Sequence, residues 1–115
     1  MQLQKEGKTK DCIVVAPHNI SKIRWNDYYP EKTMDYMPKA VRDSLTNAAK
    51  EKGTNTDLYA DEYLLFLTKE LKPFIDENYS VLTDQQNTVI AGSSMGGLIS
   101  MYAISEYPNV YGAAA

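Results

Sequence analysis

Residues 87–98 read NTVIAGSSMGGL, a short apolar run that passes directly into a cluster of glycines and serines. Asn87–Ala91 ends in continuous rather than alternating apolar residues, which predicts a short buried strand of a parallel sheet. Leu98–Glu106 is apolar nearly all round and predicts a helix that is buried on most sides. The glycine and serine cluster between them is therefore expected at a tight turn from strand to helix.

Two other segments have the character of strands. Cys12–Ala16 is a continuous β-branched run closed by Pro17, and Tyr111–Ala115 reads as the first residues of a further strand. With the intervening helices, the order becomes strand, crossover helix, strand, helix and strand start. That order implies an α/β fold with a parallel sheet and right-handed crossovers.

Three helical segments precede the glycine cluster. The polar segment Met1–Lys10 reads as the end of a helix that turns at Gly7, and Pro38–Lys52 forms a helix stopped by Gly53. A longer helix begins near Thr56 or Asp57, either of which could cap it, and is kinked at Pro73 without ending. Its apolar face is expected to comprise Tyr63, Leu67, Leu71, Phe74 and Ile75.

Length, charge and cysteine content exclude several classes of protein. The 115 residues suffice for one domain, and 12 basic against 15 acidic side chains give a net charge of −3. Without a basic stripe, nucleic-acid binding is not expected. No run approaches the roughly 20 apolar residues of a membrane span, and no metal cluster or cofactor fingerprint is present. The single cysteine, Cys12, excludes an internal disulfide and is expected to be buried.

The glycine cluster matches the pattern G-x-S-x-G through Gly92, Ser94 and Gly96. A serine nucleophile on a sharp strand-to-helix turn needs small neighbours on both sides, and its hydroxyl then projects at the start of the helix. There the backbone N–H of Met95 could donate to a developing oxyanion, aided by the helix dipole. A glycine turn without chemistry remains an alternative. A phosphate-binding loop is disfavoured because no lysine follows the glycines.

Gly92–Gly97, preceded by Thr88–Ala91, resembles the nucleophile elbow of the putative-esterase (esterase D-like) family of α/β-hydrolases. That family includes feruloyl, acetyl-xylan and siderophore esterases and mycolyltransferases. Three further segments resemble parts of the family. Ile13–Asn19 resembles the fourth strand and the loop after it, and Phe66–Asp76 resembles the helix before the elbow. Arg24 with Asp27–Pro30 resembles the family's R-x-x-E-Y-x-P stretch, with Asp in place of Glu.

The resemblance implies a partial α/β-hydrolase fold, running from the fourth strand to the start of the sixth. Residues 1–115 would form one incomplete domain with its elbow at 92–97, and residues 33–55 are unmatched and read as an insertion. Only 21 residues follow Ser94, and none is Asp or His. Because the family's catalytic acid and base follow the serine along the chain, both are expected outside this sequence. The isolated chain is then expected to be nearly inactive.

Three residues are candidates for the substrate pocket. His18 and Asn19 follow the predicted strand at the sheet edge where α/β proteins bind ligands, although His18 precedes Ser94, against the family order. Arg24 could meet an anionic or sugar-bearing substrate, or it could pair with Asp27. Tyrosines such as Tyr28, Tyr29 and Tyr36 could form an aromatic wall or simply pack.

These features point to a serine esterase that acts on acylated sugars or similar carboxylic esters. Ser94 would be the nucleophile, Met95 N–H the oxyanion donor, and Gly92, Gly96 and Gly97 would form the elbow, with no cofactor and no metal. The expected partner is a small ester substrate such as an acylated carbohydrate, and neither nucleic acid nor a membrane is expected as a partner. The alternatives are an acyltransferase with the same elbow and a non-catalytic binding module that uses the aromatic segment from Trp25 to Tyr36.

Two expectations concern the chain's surroundings. An incomplete sheet has strand edges with unpaired backbone groups and an exposed apolar surface, so self-association is expected. The first ten residues have no signal-peptide core, but a start upstream would leave both cytoplasmic and secreted locations open.

Overall fold

The computed structural model describes residues 2–53 and 55–115. Met1, the first residue of the predicted N-terminal segment, and Thr54, within the predicted insertion, lie outside the described residues. No helix in the described ranges is both long and apolar enough to cross a membrane. The elements in chain order are α1 (Gln2–Lys5), α2 (Arg24–Tyr28), α3 (Thr33–Tyr36), α4 (Lys39–Glu51), α5 (Ala60–Phe66), a π-helical segment (Leu67–Leu71), α6 (Lys72–Asn78), a 3₁₀ turn (Gln85–Asn87), β1 (Val89–Ile90), α7 (Met95–Glu106) and β2 (Ala113–Ala114).

The C-terminal third forms a strand–helix–strand unit. β1 pairs in parallel with β2, with Val89 opposite Ala113 and Ile90 opposite Ala114. Backbone hydrogen bonds extend the pairing at both ends: Gly112 N–H donates to Thr88 O at 2.9 Å, and Gly92 N–H donates to Ala115 O at 2.8 Å. α7 makes the crossover between the two strands and packs against both. The predicted α/β arrangement with a parallel sheet is thus present as a two-stranded unit.

The prediction of a buried strand at Cys12–Ala16 is wrong for this structure. The segment is not assigned to a strand and is exposed, Val14 to 74%, and Cys12, expected inside, is exposed as well. The physical reason is the absence of a neighbour, since an extended segment becomes a strand only when its N–H and C=O groups pair with another backbone. β1 lacks cover for the same reason, because Val89 is 60% exposed rather than buried on both faces.

The predicted helix before the glycine cluster begins later than expected and contains a π-helical segment. Its first helical residue is Ala60, and neither Thr56 nor Asp57 caps it; instead a carboxylate oxygen of Glu31 accepts a hydrogen bond from Asp61 N–H at 2.9 Å. The helix continues through Pro73 as predicted. Ahead of the proline, Lys72 N–H donates to Leu67 O, five residues back, which is the π pattern.

The core lies where α5 and α7 meet. Its fully buried members include Ala60 and Leu64 of α5 and Ala103 of α7, joined by Ile99, Tyr102 and Tyr111. The buried face of α5 is therefore shifted by one position from the predicted face, whose members Tyr63 and Leu67 are only partly buried. Phe74, also predicted inside, is 55% exposed.

α7 is buried on one side only, contrary to the expectation of burial on most sides. Leu98 and Met101 are 40% and 60% exposed, because few described elements pack around the helix.

The N-terminal half confirms two of the predicted helices. α1 leads into a turn at Gly7, and α4 ends before Gly53, with both glycines in the left-handed region at φ near +65°. α4 has no buried residue, and its apolar side chains Val41 and Leu45 are 48% and 40% exposed. Whether residues 33–55 are an insertion stays a prediction.

Candidate functional site

Ser94 occupies the turn between β1 and α7, in a backbone conformation that residues other than glycine rarely adopt. Its φ is 57° and its ψ is −118°. Among the described residues it is the only one besides glycine with a positive φ. Such strain costs of the order of 1–3 kcal/mol and persists only where the surroundings enforce it. Here Gly96 N–H donates to Ser93 O at 2.9 Å and Leu98 N–H donates to Ser94 O at 3.1 Å, so both flanks of Ser94 are fixed.

The glycines around Ser94 differ in how strongly the structure requires them. A Cβ on Gly92 would lie 2.4 Å from the carbonyl carbon of Gly96, and a Cβ on Gly97 would lie 3.2 Å from the carbonyl oxygen of Gly92. A Cβ on Gly96 would meet nothing within 4 Å. The sharp turn therefore depends on the missing side chain of Gly92, because the Gly96 backbone occupies that space.

The backbone N–H of Met95 begins α7 immediately after Ser94. In the described part of the chain this N–H group makes no hydrogen bond to another backbone group. α7 has 12 residues, so its N-terminus carries a substantial fraction of a positive charge on such unpaired N–H groups. An anion or a developing oxyanion beside Ser94 would therefore meet a preoriented donor.

One of the three predicted pocket residues, Arg24, reaches this turn, and the cavity that Arg24 and Asn19 line includes Gly92, Ser93 and Gly96 but neither Ser94 nor Met95. Arg24, on α2, donates from Nη2 to Ser93 O at 3.2 Å, and Asn19 lines the same cavity. His18 is exposed and does not line that cavity. The predicted alternative of an Arg24–Asp27 ion pair is not formed: no carboxylate oxygen of the described residues lies within 4.0 Å of the guanidinium group.

The cavity that includes Arg24 has a volume of about 930 Å³ and opens to solvent. It is bounded by the extended segment that contains Ile13 and Val15, by Leu67 and Leu71 of the π-helical segment, and by Thr88–Gly92 together with Ser93. Its lining combines apolar side chains with polar and charged ones, a combination found in sites for organic ligands.

The sequence predicts different roles for two tyrosines in this cavity: Tyr28 is among those expected either to form an aromatic wall or to pack, whereas Tyr63 is expected only on the apolar face of its helix. The hydroxyl groups of Tyr28 and Tyr63 lie 3.4 Å apart, and the rings are 5.1 Å apart between centroids. Burial raises the pKa of Tyr63, with the Tyr28 hydroxyl adding to the effect. Burial likewise raises the pKa of Tyr111, in the same wall, to about 12. Tyr63 and Tyr111 are therefore neutral hydrogen-bonding groups at neutral pH.

The aromatic segment does not form a single wall. Tyr36 is 88% exposed, whereas Trp25 and Tyr29 pair at 4.7 Å between ring centroids and line a separate cavity of about 240 Å³ against α4. Tyr28 instead faces Arg24, whose guanidinium carbon lies 5.7 Å from its ring centroid.

The carboxylate nearest to Ser94 on its C-terminal side along the chain, Glu106, is remote from it in space. It lies at the far end of α7, about 18 Å along the helix axis, and pairs with Lys32. Lys32 also lies 3.9 Å from Asp61, which accepts a hydrogen bond from the Tyr102 hydroxyl at 2.5 Å. This cluster joins α5, α7 and the segment before α3, and Glu106 is not available to orient a base at Ser94.

Within residues 2–53 and 55–115, no three His, Cys, Asp or Glu side chains come together as a metal site would require. The polar groups that the structure places at this turn are the Met95 N–H and the Arg24 guanidinium group on Ser93 O.

Comparison with known proteins gives one family and two relatives. Uncharacterized protein YbbA of Bacillus subtilis (strain 168) is 44% identical over 50 residues, which are 44% of this chain and 20% of that protein. Uncharacterized protein YjcH of the same strain is 24% identical over 110 residues, which are 96% of this chain and 35% of that protein. The chain thus spans about a third or less of the length of these relatives, and no solved structure matches it.

The family match covers nearly the whole sequence. Residues 6–115 match the family described as Putative esterase, a range that includes the extended N-terminal segment, α2, the helix before the turn and the turn itself. General esterase or hydrolase activity is the function that this family supports. The chain belongs to the putative-esterase family.

Proposed function

We propose that the chain carries the nucleophile of a serine esterase and that Ser94 is that nucleophile. The observation that supports this most is the strained turn at Ser94, with its positive φ, between a parallel strand and the unpaired N–H groups that begin α7. Strained residues concentrate at functional sites. A serine with only a connecting role could take any of the unstrained conformations that a longer turn would allow.

The chemistry follows from the position of the hydroxyl. Ser94 Oγ attacks the ester carbonyl carbon as a general base removes its proton, and the carbonyl π electrons move onto oxygen. The Met95 N–H donates to that oxyanion. When the carbonyl re-forms, the alcohol leaves with the proton from the base, and an acyl-serine remains. Water then repeats the sequence and releases the carboxylic acid.

We propose that the base and the acid that orients it lie in polypeptide outside these 115 residues. The sequence contains one histidine, His18, and its position before Ser94 is opposite to the order serine, acid, histidine of α/β-hydrolases. The relatives are about three and five times longer than the regions they share with this chain. A family member of their length has room for both missing groups.

The substrate class that we propose is a carboxylic ester, with acylated sugars as the first candidates. The cavity offers an apolar wall for an acyl or aryl group and hydrogen-bonding groups from Asn19, Tyr28 and Tyr63. Gly92, Gly96 and Gly97 shape the turn, and no cofactor takes part.

The test is ester hydrolysis by the polypeptide as its source cell makes it, with 4-nitrophenyl acetate as substrate. We expect Ser94→Ala to lower kcat by at least about 10³-fold, as removal of a nucleophile does in triad enzymes. Ser93→Ala is the matched control, because it removes a neighbouring hydroxyl and leaves Ser94 in place. Equal activity in wild type and Ser94→Ala would refute the assignment.

A second measurement tests the placement of the base. The 115-residue chain alone should show almost no turnover of the same ester, and the intact mass of the native protein should lie well above 13.0 kDa. Brisk turnover by the isolated chain that Ser94→Ala abolishes would require an internal base, with His18 the first candidate.

A different function is favoured by one observation, the Trp25–Tyr29 pair and its cavity of about 240 Å³. Aromatic surfaces of this kind bind saccharides. In a binding module, saccharide affinity would be the same in wild type and Ser94→Ala, and no ester would be cleaved. In an acyltransferase the acyl-serine would form and then pass to a sugar rather than to water.

A further inference from the structure

We infer that Arg24 recognises a carboxylate on the ester substrate, so that this site prefers esters with a free carboxylate close to the scissile bond. The inference rests on the proposed function, because it concerns the substrate of the Ser94 site. It adds the charge of that substrate, which neither the family nor the turn geometry specifies.

The position of Arg24 is the first observation. Its Nη2 donates to Ser93 O at 3.2 Å, and that carbonyl also accepts the Gly96 N–H at 2.9 Å. Ser93 directly precedes Ser94, so the guanidinium group lies beside the proposed nucleophile. It also lines the 930 Å³ cavity together with Gly92, Ser93 and Asn19. A substrate in this cavity would meet the positive charge.

The second observation is that most donors of Arg24 are unused. A guanidinium group has five N–H donors, and the contact with Ser93 O uses one. No carboxylate oxygen in residues 2–53 or 55–115 lies within 4.0 Å of it. Asp27, the acidic residue nearest along α2, contacts Asn19 Nδ2 instead, at 3.5 Å. The Tyr28 ring, 5.7 Å from the guanidinium carbon, restricts where the group can lie.

Charge balance favours a carboxylate over a phosphate. One guanidinium group matches a single negative charge, and its planar fork can bind both carboxylate oxygens. A phosphate monoester carries a charge of −1.5 to −2 and would call for a second cation. The lining of this cavity contains two cationic side chains, Arg24 and Lys72, and two carboxylates, Asp11 and Asp76. Lys72 pairs with Asp76 and also donates to Thr83 O, so within the described residues Arg24 is the cation of this lining that has no carboxylate within 4.0 Å.

The experiment compares two phenyl esters of nearly equal size in the native polypeptide. Monophenyl succinate carries a free carboxylate, and methyl phenyl succinate is its neutral counterpart; release of phenol gives kcat/KM for each. We expect wild type to prefer the anionic ester. Arg24→Gln should lower the ratio of the two kcat/KM values by roughly 10-fold, the loss of one charged hydrogen-bonded pair. Arg24→Lys should keep part of the wild-type preference for the anionic ester.

Arg42→Gln is the matched control. It removes the same charge from the only other arginine, which lies on α4 and donates to Met34 O. The ratio should remain that of wild type. If Arg24→Gln lowered kcat/KM equally for both esters, Arg24 would only hold the Ser93 carbonyl, and the inference would be overturned. An unchanged ratio would overturn it as well.

A binding measurement separates this inference from the proposed function. Monophenyl succinate is titrated into Ser94→Ala, which cannot form an acyl-serine, with and without Arg24→Gln. We expect the second substitution to raise Kd about 10-fold. If neither ester is hydrolysed by wild type but this difference in Kd is seen, the esterase proposal fails and the carboxylate site stands. If hydrolysis depends on Ser94 but Kd does not depend on Arg24, the carboxylate site fails alone.

Discussion

Replacement of Gly92 by alanine tests the turn geometry most sharply. The added Cβ would lie 2.4 Å from the carbonyl carbon of Gly96 and 2.5 Å from its oxygen. Carbon atoms in contact are normally about 3.5–4.0 Å apart, so the gap is too short by more than 1 Å. Both contact atoms belong to the backbone, which cannot turn aside as a side chain could. β1 and the first turn of α7 must therefore separate.

The expected loss of stability follows from that displacement. Forcing extra atoms into a filled space typically costs about 1–3 kcal/mol, and here the Gly92 N–H bond to Ala115 O is strained as well. For a chain of this size each kcal/mol lowers the Tm by about 4 °C or more. Gly96→Ala is the matched control, since its Cβ meets nothing within 4 Å and alanine favours a helix by up to about 1 kcal/mol over glycine.

The assay is thermal and urea-induced unfolding followed by circular dichroism at 222 nm for wild type, Gly92→Ala and Gly96→Ala. We expect a Tm about 4–12 °C lower for Gly92→Ala and an unchanged or slightly higher Tm for Gly96→Ala. Equal stability of Gly92→Ala and wild type, or an equal loss in both variants, would refute the turn geometry described above.

Three further outcomes are expected. Leu64→Ala, at a fully buried position of α5, should lower the free energy of unfolding by about 2–5 kcal/mol, whereas Leu65→Ala, 49% exposed, should change it by less than about 1 kcal/mol; urea titration decides. Burial raises the pKa of Tyr111 from 10.0 to about 12, so the folded state holds the hydroxyl proton more tightly than the unfolded state does. The contribution of this difference to the free energy of unfolding is fully present below pH 10 and is lost as the pH rises from 10 to 12. Tyr111→Phe should therefore show a smaller loss over that range, by up to about 2–3 kcal/mol, while Tyr36→Phe, at an exposed position, should behave as wild type. Sedimentation velocity should show concentration-dependent association of the 115-residue chain, reduced by Val14→Lys in the exposed segment; a monomer at all concentrations would contradict the uncovered apolar surface.

The local elements were predictable because their signals lie within a few residues. The left-handed glycines at 7 and 53, the strand–turn–helix around Ser94 and the parallel start at Ala113 follow from local sequence pattern. The Arg24 contact with Ser93 joins residues 69 positions apart and could not be read from either segment alone.

The failures share one cause, which is that burial depends on neighbours. Cys12–Ala16 and β1 have the composition of strands covered on both faces. Cys12–Ala16 is nevertheless exposed throughout, and β1 is covered on one face only, with Ile90 against the core and Val89 60% exposed. The predicted start of α5 is wrong because one N–H group of its first turn, that of Asp61, donates to Glu31, a residue far upstream, and no local cap is present. Pattern indicates which face of an element is apolar, whereas the fold determines whether anything covers it.

The central claim is that Ser94 is the nucleophile, and the most direct test is covalent labelling with a fluorophosphonate. The native polypeptide is treated with the probe, digested and sequenced by mass spectrometry, with Ser94→Ala and Ser93→Ala alongside. The account predicts a single modified serine at position 94, lost in Ser94→Ala and retained in Ser93→Ala. Modification of a different serine, or hydrolysis of an ester without any labelled serine, would contradict it.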